Sequence, residues 1–160
     1  MPAQINIVTV VDVVGALASE SLDGNIHLID NSRSSTTTGQ GTAELSTTCK
    51  HGQVINWLIY AVDLQSPALI HNIDFEGSVN PCLKLQPYGA PVFGPYWAGI
   101  VKLEADLKSG VYPYRLEIEM AGRTMTMNQT PALNIVKERT LKGSGSAYFD
   151  SFSMAKAGNQ

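Results

Sequence analysis

The side chains able to do chemistry are few and scattered. His27, His51 and His71 stand singly, and Cys49 and Cys82 lack the short spacing of a metal-binding pair. His71 has Asp74 nearby, but on a strand residues three apart point to opposite faces. Gly39-Gln40-Gly41 is too short for a dinucleotide loop and no helical pattern follows it. G-x-S-x-G, a phosphate loop ending in Lys-Ser or Lys-Thr, and H-E-x-x-H are all missing. These residues predict no catalytic site, no metal site and no cofactor, and hence a protein that is not an enzyme. The histidines read as structural or exposed, the cysteines as buried free thiols.

One stretch has binding character. Residues 86–99 (QPYGAPVFGPYWAG) hold Tyr88, Phe93, Tyr96 and Trp97 among three prolines and three glycines. Prolines and glycines at this density argue against a helix or a central strand, so the segment is expected to be a loop. Rings with polar tips suit a sugar or a protein partner. They would equally well plug the end of a sandwich or bury at a subunit contact. Tyr88, Phe93, Tyr96 and Trp97 are therefore the candidate binding or subunit-contact residues.

The elements that must position them are strands. Val54 to Val62 is the most apolar run, too short to span a membrane, and its β-branched and aromatic residues fit a central strand covered on both faces. Asn56 is its one polar residue and should find a structural hydrogen bond. Ile5–Val14 reads as a strand, 15–25 as a connection, Ile26–Ile29 as a short strand, and 31–41 as a mobile polar loop. Alternation marks Thr42–Cys49. Further strands are expected at Ala68–Phe75, Leu83–Leu85, Tyr112–Met120, Thr124–Met127 and Pro131–Val136. In Tyr112–Met120, Tyr114, Leu116, Ile118 and Met120 alternate with Arg115, Glu117 and Glu119, so that strand has one wet face. Eight or nine short strands with no amphipathic helix predict an all-β, antiparallel, jelly-roll-like β-sandwich with minor helix. The chain reads as one domain over residues 1–136, with a tail over 137–160 packed on that domain or on a neighbouring subunit.

The chain has 160 residues, 16% of them charged, and a net charge of −3. That balance speaks against nucleic-acid and membrane partners. A weakly charged polar surface favours self-association, so the expected partner is the protein itself, with carbohydrate as the alternative. The first basic residue is Arg33 and Asp12 interrupts the first apolar run, which does not fit a secretory signal. A cytoplasmic location is expected.

The order of motifs resembles a known family. Ile7-Val8-Thr9-Val10-Val11-Asp12 is followed by Ile26-His27-Leu28-Ile29-Asp30, then by Gly39-Gln40-Gly41-Thr42-Ala43-Glu44-Leu45. His51-Gly52-Gln53-Val54-Ile55-Asn56-Trp57 comes next, and Tyr112-Pro113-Tyr114-Arg115-Leu116-Glu117-Ile118 stands near the end. This is similar to the AidA/PixA inclusion-body protein family of bacteria over roughly residues 5–136. The resemblance implies a small protein linked to intracellular inclusions. It also implies production tied to growth state or quorum sensing, in host-associated bacteria. That family is not defined by catalytic residues, so none carry over.

Overall fold

Alternating apolar residues lay down ten strands, and one short helix is set by a cap. The structure, a computed structural model, describes residues 4–63, 65–89, 92 and 94–138. The strands are β1 (Gln4–Val11), β2 (Ile26–Asp30), β3 (Ser46–Lys50), β4 (Val54–Ala61) and β5 (Ala68–Phe75), then β6 (Cys82–Tyr88), β7 (Tyr96–Val101), β8 (Gly110–Met120), β9 (Arg123–Thr126) and β10 (Ala132–Val136). One sheet has the order β2-β1-β4-β7-β6, here the β4 sheet. The other, the β8 sheet, has the order β3-β10-β8-β5, with β9 also paired to β8. Ile5, Ile7 and Val11 of β1 and Ile55 and Trp57 of β4 pack against Tyr114, Leu116 and Ile118 of β8, all fully buried. Trp57 meets Tyr114 edge-on across the layers, 5.7 Å between ring centroids.

The expected all-β sandwich is therefore the architecture found. To its antiparallel ladders each sheet adds one parallel pair, β1 with β4 and β3 with β10. The parallel β1–β4 pair is joined by a long crossover through β2 and β3, as parallel strands require.

Three local expectations change. Ile5–Val14 does not continue as a strand: β1 stops at Val11 and α1 (Val13–Ser19) begins. Asp12 caps it, its carboxylate accepting the Gly15 N–H at 3.0 Å. The helix ends at Glu20, whose φ of 56° is left-handed. Residues 31–41 are tied down rather than mobile. Ser32 is fully buried and donates from Oγ to the Thr48 carbonyl at 2.6 Å. Thr37 Oγ1 accepts the Thr48 N–H at 3.0 Å, and Thr38 bridges Ser46. The segment lies along the outer edge of β3 and satisfies backbone groups that an edge strand leaves open, so it needs no apolar residue to be fixed. Finally, Gln86–Gly99 is the end of one hairpin, with 86–88 inside β6 and 96–99 inside β7. β7 is an interior strand, contrary to the proline argument. Pro87 sits in edge strand β6 and Pro95 precedes β7, so neither removes a donor from the middle of the sheet.

Hairpin β8–β9 turns at Ala121 and Gly122, both with positive φ, the conformation a two-residue turn demands. Residues 139–160, which hold most of the expected tail, lie outside the described residues.

Candidate functional site

β4 is central in its sheet, as its sequence predicts, but its two faces are not alike. Ile55 and Trp57 point inward and are fully buried, with Ile59 and Ala61 packed against the core. On the outward face Val54, Asn56 and Leu58 are only half-buried and Tyr60 is 47% exposed. The expectation of cover on both faces is corrected: no layer of the fold lies over the outer one among the described residues.

That outer face is hollowed into a groove of about 560 Å3. Four strands build it. β1 supplies Gln4 and Asn6, β4 supplies Val54, Asn56 and Leu58, β7 supplies Tyr96, Ala98 and Ile100, and β6 supplies Lys84 and Tyr88. The volume lies within the range of about 300–1,000 Å3 usual for ligand sites.

The polar floor follows from register. Parallel pairing sets Asn6 beside Asn56 and Gln4 beside Val54. The Asn56 amide nitrogen donates to Asn6 Oδ1 at 2.9 Å and to Gln4 Oε1 at 3.1 Å. The structural bond expected of Asn56 is thus present, and it arranges two further amides whose NH2 groups have no other partner among the described residues. Asn31 steadies this row from β1's other side, its Oδ1 accepting the Asn6 backbone N–H at 2.8 Å.

The aromatic candidates divide between the two faces. Tyr88 and Tyr96 are cross-strand partners on the outer face, stacked at 5.8 Å with 27° between planes, and they form one wall of the groove. Gln86 Nε2 donates to the Tyr88 hydroxyl at 2.8 Å. Trp97 points the other way, beside Trp57, and its indole N–H donates to the Ile70 carbonyl of β5 at 2.9 Å. It pins one sheet to the other. Phe93 lies outside the described residues.

Lys84 enters the groove through a β-bulge. Leu83 pairs with Ile100 and Gln86 with Ala98, so Lys84 and Leu85 together oppose Gly99. Lys84 has φ 54°, left-handed for a residue that is not glycine, and Leu85 turns in towards the core. Gly99 is required there: a Cβ on it would stand 2.9 Å from Cys82 Cβ and 3.2 Å from Leu85 Cδ1. Sequence reasoning missed Gln4, Asn6 and Lys84 altogether.

The other chemical residues lie away from this groove. Cys49 and Cys82 are free, buried thiols, each pushed up to about 12, chiefly by burial. Burial also holds the Tyr114 phenol well above its ordinary range; the Trp57 indole offsets this in part, although the two groups do not meet in hydrogen-bond geometry. The His51 ring lies between the Lys102 carbonyl at 2.8 Å and Ser109 Oγ at 3.1 Å. His71 stands 3.7 Å from Glu119 on the surface. Among the described residues no cluster of His, Cys, Asp or Glu is placed to hold a metal ion, and no helix is long and apolar enough to cross a membrane.

Residues 3–126 match the model of a family described as a domain of unknown function, DUF8788. The chain belongs to the DUF8788 family. No curated protein matches it in sequence. Among solved structures, the DUF8788 chain is similar to the inclusion body protein PixA from Burkholderia cenocepacia J2315. The TM-score is 0.65 at 10% identity, over 83% of this chain and 95% of that one. The AidA/PixA resemblance noted in the sequence thus has its counterpart in the fold, and at that identity the likeness is one of architecture.

Proposed function

We propose that this DUF8788 protein is non-enzymatic and works by self-association, as an inclusion-body-type protein of the bacterial cytoplasm. Its production would follow growth state or population density, as the AidA/PixA resemblance implies. One observation carries the reading: an apolar strip on the outer face of the β4 sheet. Val8 of β1 lies between Ile29 of β2 and Leu58 of β4, and Val10 lies beside Tyr60. Val8, Val10 and Leu58 are half-buried, while Ile29 and Tyr60 are each 47% exposed. A wet sheet face normally alternates to polar residues. Contiguous apolar surface of this kind, on a weakly charged chain, favours a second copy of the same face. The PixA structure, described as an inclusion body protein, supports the same reading from outside the chain.

The test is a concentration series by sedimentation velocity or multi-angle light scattering from low to high micromolar. The expected result is reversible growth in mass. A strictly monomeric protein across the series would remove self-association from the account.

A further inference from the structure

The groove beside the apolar strip is built differently, and its polar groups are biased. Asn56 gives its amide N–H groups to Gln4 and Asn6, and the NH2 groups of those two groove-lining side chains have no partner among the described residues. Lys84 is the one charged residue of the lining, and its ammonium has neither an ion-pair nor a hydrogen-bond partner among the described residues. No carboxylate lines the groove. Donors therefore dominate one side, and the stacked Tyr88–Tyr96 pair gives the other a broad apolar surface with hydroxyl tips.

The backbone at Lys84 adds a second argument. A glycine would occupy a left-handed φ of 54° without cost, yet a lysine stands there, at a bulge whose effect is to re-aim a side chain. Local strain kept at a bulge beside a groove is what a site under functional constraint looks like.

We propose that this groove binds an anionic saccharide, a short chain of uronic-acid-type sugars. The sugar rings lie against Tyr88 and Tyr96, hydroxyls and ring oxygens meet the Gln4 and Asn6 amides, and a carboxylate meets Lys84. A single ammonium suits one carboxylate at a time. A nucleotide would call for several cations or a nest of backbone N–H groups around its phosphates, and a lipid chain would call for a closed apolar channel without an amide floor. The site lies beyond the self-association reading: it needs no second copy, and the two share only Leu58.

The test is calorimetric titration of the full chain with three probes: trigalacturonic acid, its methyl ester, and inorganic phosphate. Saturable binding of the acid is expected, with the ester weaker by about tenfold or more, the worth of one charge-assisted hydrogen bond, and no response to phosphate. Lys84→Gly should weaken the acid by about tenfold or more without lowering the thermal midpoint, because glycine suits the bulge. Asn6→Asp, which removes one donor to the sugar and sets a like charge against the carboxylate, should weaken both acid and ester, the acid more. No saturable binding of the acid at millimolar concentration overturns the proposal. So does equal binding of acid and ester, phosphate competing with the acid, or an unchanged affinity in Lys84→Gly. Sedimentation of the same samples keeps the two questions apart, since a monomer that binds the acid sinks only the self-association reading.

Discussion

On the outward face of the β8 sheet, Arg115 pairs with Glu76 at 2.8 Å, Asn72 bonds Glu117 and His71 faces Glu119. On the outward face of the β4 sheet Val8, Val10, Leu58 and Tyr60 make an apolar strip, with His27 beside Val10 and the amide row of the groove at the other end. Both faces enclose the same core, so the core does not explain the difference. The β8 sheet meets water mostly through these charged and polar pairs, with Leu69 and Val111 as separate exposed apolar residues. The β4 sheet keeps apolar surface and a row of amides, and that asymmetry is what supports the proposals that place contacts with other molecules on this side.

Several substitutions and conditions should separate the two faces. The largest effect should come from the inner half of the aromatic hairpin. Trp97→Ala removes the bond to Ile70 and a ring packed between the sheets, and is expected to lower unfolding stability by about 2–4 kcal/mol in urea titration. An unchanged midpoint would mean that Trp97 belongs with Tyr88 and Tyr96 in recognition, and that the division of the hairpin is wrong.

Next comes the core that both faces share. Cys49 and Cys82 each rise from 9.0 to about 12 on folding. The folded protein then holds those protons more tightly than the unfolded chain does. Their stabilising effect is complete below pH 9 and is lost as pH rises towards about 12. Stability at pH 10 should be about 2–3 kcal/mol below its neutral value, measured by denaturant titration. Native thiols should react with a disulfide reagent only on unfolding. Substitutions on either outer face should leave this window in place; a Tyr60 variant that moved it would couple the β4 face to the core.

The smallest effect on the fold, and the sharpest on the comparison, is a matched pair. Tyr60 is 47% exposed on the β4 sheet and Leu69 is 40% exposed on the β8 sheet. Replacing either by Glu should change stability by no more than about 1 kcal/mol. Tyr60→Glu is expected to weaken self-association by about 2 kcal/mol, the loss typical of a buried aromatic anchor, and Leu69→Glu to leave it unchanged. Equal behaviour of the two in sedimentation would erase the distinction between the faces.

The sequence shows the inner half of this molecule well and the outer half poorly, for a physical reason. Tyr114, Leu116, Ile118 and Met120 alternate strictly because one face is buried, and a period of two survives in sequence. The central place of β4 was legible from its apolar run. The exposure of its outer face was not, since an apolar residue looks the same whether covered by a layer, a partner or nothing. The helix escaped because Asp12, its cap, sits inside a β-branched run that reads as continuous strand. For the groove, Tyr88 and Tyr96 could be found as aromatics in a hairpin. Asn6 and Asn56 are 50 residues apart and meet only through a parallel pairing that no local pattern encodes. Lys84 reaches the groove only because a bulge reverses the alternation of β6.

The free borders of the two sheets carry a consequence for the kind of solid such a protein can make. Thr38 covers β3, Thr42 bridges β2 at Leu28, β6 carries a bulge and Pro87, and β5 shifts register between Ile70 and Asn72. Strand-by-strand growth, the route to amyloid, therefore meets an obstacle at these four borders. A deposit made from this fold would be stacked whole molecules, each still folded, held by weak face contacts. Were the proposed self-association to build such a deposit, dilution would return it to folded protein.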